Sequence, residues 1–265
     1  MARLLHLSDL HAVATGTRAS GVLDTNDLLR EAIDALSGRL TAIGRIDAVL
    51  VTGDISDDGS AESYAIAKAQ LARLGLPLLA IPGNHDRRSA FRDAFADTAP
   101  MPDDGPLDWI AEVAGTRIVG LDTLVEGQGG GLLRARTLDF LAEALDRSQG
   151  KPVVVALHHP PLRTGIRFMD AIGLDNAEAL EGILRRHDGP LWVLAGHVHG
   201  VYHCMLGGHP VVTAPSTCSA FVFDQREEAP VGFMLGPLGF GMLDTAPGGV
   251  WTACPLVMAD GPYGF

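Results

Sequence analysis

Short aliphatic runs alternate along this chain with longer stretches whose apolar positions recur at helical spacing. The runs Arg3 to Ser8, Asp47 to Thr52, Pro77 to Ile81, Arg117 to Leu121, Pro152 to Leu157, Leu191 to Ala195 and His209 to Thr213 predict strands. Between the first two, Leu28, Leu29, Ile33, Leu36 and Leu40 mark one face of a helix. Tyr64, Leu71 and Leu74 mark another, with Ser60 placed as its N-cap and Gly75 after its end. Further helices are predicted from Thr137 to Arg147 and from Asn176 to His187. Leu107 to Leu121 is interrupted by Ala114-Gly115 between two extended runs, which predicts a hairpin. The pattern is therefore that of α/β layers with mixed rather than purely parallel sheets. From Glu227 onward the chain is rich in Gly and Pro with scattered Phe, Met and Trp, and reads as an irregular closing segment or an oligomer contact. The expected organisation is one main domain over residues 1–226 and a closing segment over 227–265.

Composition narrows the partners. At 265 residues and 47% hydrophobic content the chain can form one large core, burying roughly 75% of its extended surface. With 20 Lys+Arg against 32 Asp+Glu the net charge is −12, and no basic cluster offers a track for phosphates, so extended nucleic acid is not an expected partner. Met1 to Asp9 reaches a charge too soon for a signal peptide, and no window is long and apolar enough for a membrane span. Cys204, Cys218 and Cys254 lack paired metal-ligand spacing and are odd in number, which suits a reducing cytoplasm.

The strand ends carry chemistry that a core does not need. Ser8-Asp9-Leu10-His11, Thr52-Gly53-Asp54, Gly83-Asn84-His85-Asp86, His158-His159-Pro160-Pro161 and Ala195-Gly196-His197-Val198-His199 each follow a predicted strand. Each alone has an ordinary account, because turns face water and collect polar residues. Together they place metal-binding side chains at the edge of an α/β sheet where ligands bind. Asp9 and His11, and likewise His197 and His199, are two apart and would point to one side of an extended chain. Oxygen and imidazole donors without thiolate suit Mn, Fe, Zn or Co.

The order Asp-x-His, Gly-Asp, Gly-Asn-His-Asp, His-His-Pro-Pro, Gly-His-x-His resembles the calcineurin-like metallophosphoesterases. It looks most like their class III cyclic-nucleotide phosphodiesterases and the related bacterial glycerophosphodiesterases. Gly53 to Gly59 and Thr164 to Leu174 fit that branch as well. The resemblance implies a four-layer α/β/β/α sandwich of two mixed sheets flanked by helices. It implies two metal ions, one held by Asp9, His11 and His199, the other by Asn84, His158 and His197, with Asp54 bridging. His158 takes the ligand position because it lies two before Pro160, which leaves His159 beside the metals or against the substrate. His85 would contact the phosphate and protonate the departing oxygen, paired with Asp57. Asn84, His85, His159 and His199 would thus face the substrate, and Asp86 would hold a turn.

The implied reaction is hydrolysis of a small phosphodiester by a hydroxide made at the metal pair, without a protein nucleophile. Ser8, Ser216 and Cys218 then have packing roles, and His6, His187, His203 and His209 are ordinary structural histidines. Cyclic nucleotides such as cAMP are the first expectation and glycerophosphodiesters the second. Arg163, Arg167, Phe168, Met169 and Asp170 either line the substrate pocket or form a surface loop. A scaffold that has lost catalysis is the contrasting reading, set against a complete ligand set. The resembling subgroup also implies a homo-oligomer, a dimer or higher.

Overall fold

The computed structural model describes residues 1–148 and 150–257. In chain order its elements are β1 (Arg3–Leu7), α1 (Thr25–Ile43), β2 (Ala48–Thr52), α2 (Ala61–Ala72), β3 (Leu78–Ile81), α3 (Arg88–Phe95), β4 (Trp109–Val113), β5 (Thr116–Gly120), α4 (Ala135–Asp146), β6 (Val153–Ala156), α5 (Arg167–Asp170), α6 (Ala177–Leu184), β7 (Leu191–Ala195), β8 (His203–Leu206), β9 (His209–Thr213), β10 (Ala220–Phe221), β11 (Phe233–Met234), β12 (Gly239–Asp244) and β13 (Val250–Pro255). Ser60 caps α2 as expected, its hydroxyl accepting from the Ser63 amide.

One sheet has the order β13-β12-β1-β2-β3 and the other β4-β5-β6-β7-β9-β8. β1, β2 and β3 are parallel, as are β5, β6, β7 and β9; β12, β13, β4 and β8 run antiparallel to their neighbours. Both sheets are mixed. Side chains alternate between the two faces of each strand, so the continuous apolar runs serve two cores at once. Leu5, Val49 and Val51 face outward onto Leu29, Ile33, Tyr64 and Phe91 of α1, α2 and α3. Val153, Val155 and Val193 face outward onto Leu141 of α4 and Leu180 of α6. Leu4, Leu50 and Ile81 meet Ile118, Val154 and Leu194 between the sheets. The result is the expected α/β/β/α sandwich. Trp109 fastens its two halves, donating its indole N–H to the Ala80 carbonyl at 2.8 Å.

The closing segment departs from expectation. β12 pairs with β1 from Arg3↔Asp244 to His6↔Gly241, and β13 pairs with β12, so residues 239–255 complete the first sheet instead of trailing irregularly. Its glycines disguise this. Gly241 lies under the Trp251 ring, where an added Cβ would stand 2.4 Å from the ring carbon Cζ2. Here glycine reports a close approach inside a strand, not a turn. Residues 258–265 of that segment lie outside the described residues.

His6 is wholly buried between the sheets. Its Nδ1 accepts from the Trp251 indole at 3.3 Å, so its Nε2–H donates to the Thr52 hydroxyl at 2.9 Å. Burial pushes its pKa from 6.5 down to about 3. Between those values the unfolded chain binds the proton and the folded one does not, so His6 contributes stability above the upper value that is lost as pH falls below it. The slope reaches about 1.4 kcal/mol per pH unit. Urea titrations from pH 7 to pH 5 are expected to show a pH dependence shallower by one proton in His6→Gln; equal slopes would place the titration elsewhere.

Candidate metal centre

The loops that follow β1, β2, β3, β6 and β7 meet at one edge of the sandwich, bringing the five sequence motifs together. Backbone strain is concentrated there. Asp9 (φ 55°), His11 (φ 48°), Asp54 (φ 49°), His197 (φ 70°) and His199 (φ 46°) all occupy the left-handed region, which costs roughly 1 to 2 kcal/mol at each non-glycine residue. This corrects the extended-chain account of the two D/H-x-H pairs: they converge because each ligand sits on a tight left-handed bend, not through strand alternation. Several contacts brace the bends. Asp9 N–H donates to the Gly53 carbonyl at 3.1 Å, His11 N–H to the Asp54 carbonyl at 2.9 Å, and His197 N–H to Asp9 Oδ1 at 3.0 Å. Ser216 donates its hydroxyl to the Asp9 carbonyl at 2.8 Å, and Cys218, its thiol pushed up to about 12 by burial, donates to the same carbonyl. The Cys218 sulfur also lies within 4.8 Å of ring nitrogens of His11 and His199, but its hydrogen is spent on the Asp9 carbonyl and burial keeps the thiol protonated.

Two groups of ligand atoms result. In one, His158 Nε2 and His197 Nδ1 each lie 3.0 Å from Asn84 Oδ1, and His158 Nε2 lies 3.3 Å from Asp54 Oδ2. Backbone carbonyls set the tautomers: His158 donates Nδ1–H to Thr52 at 2.7 Å and His197 donates Nε2–H to Ile172 at 3.0 Å. Once His158 gives up its Nε2 proton, lone pairs face lone pairs around Asn84, an arrangement that a cation satisfies and neutral groups do not. In the other group, His11 donates Nδ1–H to Asp57 at 3.0 Å, which turns its Nε2 toward His199 Nε2 at 3.2 Å and Asp54 Oδ2 at 3.6 Å. His199 Nε2 lies 3.6 Å from Asp9 Oδ1, and its Nδ1 lies 2.9 Å from the Ser219 hydroxyl. Asp54 Oδ2 is common to both groups.

Electrostatics point the same way. Burial holds His197 and His199 well below the usual imidazole range, leaving both rings neutral and able to offer a lone pair to a cation. Burial also drives Asp9 up to about 6, a cost that a cation would remove. Burial opposes charge on Asp54 too, but His158 and His85 beside it outweigh this and keep it ionised. The same pairing lifts His158 to about 9 against its own burial. The donor set thus fits two cations: Asp9, His11 and His199 can hold one, Asn84, His158 and His197 the other, with Asp54 between.

His85 stands at the rim with its side chain 41% exposed. It is presented by a turn, Asp86 N–H donating to the Gly83 carbonyl at 3.3 Å, rather than by an extended chain. Gly83 lets that turn pass the carboxylate, since a Cβ there would lie 2.2 Å from Asp54 Oδ1. His85 Nδ1 lies 3.4 Å from Asp57 Oδ1 and 3.1 Å from the Asp57 carbonyl, so Asp57 serves His85 and, more closely, His11.

His159 is a correction to the expected substrate contacts. It is fully buried, with Nε2 at 3.0 Å from the Gly129 carbonyl and Nδ1 at 2.8 Å from the Thr123 hydroxyl, so neither nitrogen is free for substrate. Its ring instead packs 4.5 Å from that of His197. Asp86 does more than hold a turn. Its carboxylate accepts from the amides of Gly83, Ser56 and Ile55 at 2.8, 3.1 and 3.3 Å and from the Tyr64 hydroxyl at 3.0 Å, tying the Asn84 loop to the Asp54 loop. Its place two after Asn84 was the available signal. Of the later loop, Phe168 and Met169 line the cavity above the centre, whereas Asp170 accepts from the Thr164 and Gly165 amides and Arg163 is 86% exposed.

Residues 2–201 match the family described as calcineurin-like phosphoesterase. The chain belongs to that family. This phosphoesterase is 35% identical to a Mycobacterium tuberculosis protein named cAMP/cGMP dual specificity phosphodiesterase, over 81% of its own chain and 67% of that one. It is 34% identical to a Pseudomonas aeruginosa protein named 3',5'-cyclic adenosine monophosphate phosphodiesterase, over 82% and 77%. With an Arcobacter nitrofigilis protein named probable glycerophosphodiester phosphodiesterase it shares 30% identity over 88% and 85%. Its fold matches a dimetal phosphatase from Danio rerio with a TM-score of 0.67 at 17% identity, covering 97% and 96% of the two chains. Membership implies a dinuclear metal centre, and the clustered His and Asp side chains supply donors for one.

Proposed function

We propose that this phosphoesterase hydrolyses small phosphodiesters, with 3',5'-cyclic nucleotides such as cAMP its foremost substrates. The observation that carries the reading is the convergence of both donor groups on Asp54 beneath a cavity of about 230 Å³ that His85 borders. The naming of relatives as cyclic-nucleotide phosphodiesterases at 34 to 35% identity supports it. Bound there, two divalent ions would polarise the phosphate and lower the pKa of water. Asp9 and Asp54 are the only charged groups among the assigned ligands, so the loaded site is net positive within an acidic protein and attracts a phosphate anion. His85, beside Asp57 at the cavity rim, would hold a proton at the departing oxygen, with Asp57 orienting the His85 and His11 rings. Mixed nitrogen and oxygen donors accept Fe, Mn, Zn or Co.

Glycerophosphodiesters are the second reading, favoured by the Arcobacter relative's name. The free thiols Cys204, Cys218 and Cys254 suit a cytoplasmic location. Chelation is expected to abolish hydrolysis of cAMP and bis(p-nitrophenyl) phosphate, and Mn²⁺ to restore it, followed by initial rates with metal content measured in parallel. A metal-loaded protein that cleaves neither would leave the scaffold reading in its place.

A dimer is part of the proposal, supported by the exposed apolar side chains Val231, Leu235 and Val250. Light scattering is expected to give twice the chain mass for the wild type and the chain mass for Leu235→Asp or Val250→Asp; a monomeric wild type would sink it.

A further inference from the structure

Two small apolar clusters stand apart from the three main cores. One joins Val13, Ala19 and Leu23 to Phe233; the other joins Ile166, Met169 and Val198 to Phe168, Ile172 and Phe221. Both line the cavity above the metal centre, one through Ala19, Leu23 and Phe233 and the other through Phe168, Met169, Ile172 and Phe221. The β10–β11 pair sets Phe221 and Phe233 side by side as cross-strand partners and so joins the two clusters. Phe168 meets Phe221 edge to face with centroids 5.3 Å apart, and Phe221 lies 4.5 Å from the His199 ring. The apolar lining thus begins where the ligand set ends.

Their chemistry is one-sided. Outside the donor groups, Asp57 and His85, the polar lining residues are Ser20, Cys218 and Ser219. Ser219 is committed to His199 and Cys218 to the Asp9 carbonyl. Among the described residues no Arg or Lys lines the cavity.

Resting on the phosphodiesterase reading above, we infer that this apolar lining forms a slot for one flat ring on the diester, which packs on its face and is not read along its edge. The phosphoesterase therefore favours diesters that carry a planar ring and is nearly indifferent to that ring's hydrogen-bonding pattern. Stacking tolerates any base because each has a π-face, whereas strong discrimination between bases requires buried donors or acceptors that the wrong base leaves unpaired. The slot offers stacking and lacks the latter. A polyol or aliphatic substituent would leave the aromatic lining uncovered.

Steady-state kinetics of the metal-loaded full chain tests this with cAMP, cyclic GMP, cyclic CMP and the ribose 3',5'-cyclic phosphate that lacks a base. The last keeps the reacting bond and leaving group and removes only the ring. The three nucleotides are expected to agree within about 10-fold in kcat/KM, and the abasic compound to show KM raised roughly 10-fold at similar kcat. Phe168→Ala and Phe233→Ala are expected to raise KM for the nucleotides by roughly 5- to 10-fold, leaving the abasic compound unchanged, and Phe233→Tyr to restore it. Equal KM with and without the base, variants that raise KM for both alike, or a preference above about 100-fold between bases would overturn the slot while the phosphodiesterase reading stands. If the loaded wild type cleaves none of the four, both fall.

Discussion

Asp54→Asn is expected to lower kcat/KM for cAMP by roughly 10³-fold or more and to leave fewer than two metal ions per chain after purification. The size follows from position. Asp54 Oδ2 lies 3.6 Å from His11 Nε2 and 3.3 Å from His158 Nε2, so a single oxygen serves both donor groups. Asparagine keeps the shape but replaces an anion with a neutral amide, one side of which carries hydrogens that repel a cation. Loss of even an outer partner of a metal ligand typically costs 10- to 100-fold, so loss of an anion shared by two sites costs more. The fold should survive, since the substitution also relieves a buried carboxylate near Asp9 and Asp86. Metal analysis beside initial rates checks this. Full activity with two ions bound would remove Asp54 from the bridging position.

His85→Asn is expected to divide substrates by leaving group. For cAMP, whose departing oxygen is an alkoxide, the loss should be roughly 10²- to 10⁴-fold in kcat, the usual contribution of a positioned acid. For bis(p-nitrophenyl) phosphate, whose leaving group departs as a stable anion, it should be within about 10-fold. The geometry supports this split, because His85 lies outside both donor groups, on the cavity side, donating its amide to Asp54 Oδ1 at 2.9 Å and packing its ring edge to face on that of His11. Metal content should be unchanged. An equal loss with both substrates would make His85 a phosphate contact rather than the proton donor.

Much of this was legible from residue order. Continuous apolar runs define the central strands of both sheets, because a strand buried on both faces must be aliphatic throughout. The motifs define the donor set, because few residue types bind hard or borderline cations and they occur here at successive strand ends. Other features were hidden. α3 carries its apolar stripe, Ala90, Phe91, Ala94 and Phe95, in only eight residues without a side-chain N-cap, and β12 carries glycines where Trp251 and Pro215 press against the backbone. The slot lining comes from segments as distant as Ala19, Phe168 and Phe233, none of which has a local pattern that reports the others.

What the sequence determined by itself was therefore the layered α/β architecture, the family and the set of candidate donor residues. The tertiary structure decided how the ligands face one another. Left-handed bends at Asp9, His11, Asp54, His197 and His199 are conformations that local propensity disfavours and only surrounding hydrogen bonds sustain. It also decided that His159, beside a ligand in sequence, spends both ring nitrogens on the protein while Asp57 serves two histidines. Side-chain chemistry is local to the residue, but tautomer, direction and access are set by neighbours that the fold brings from elsewhere in the chain.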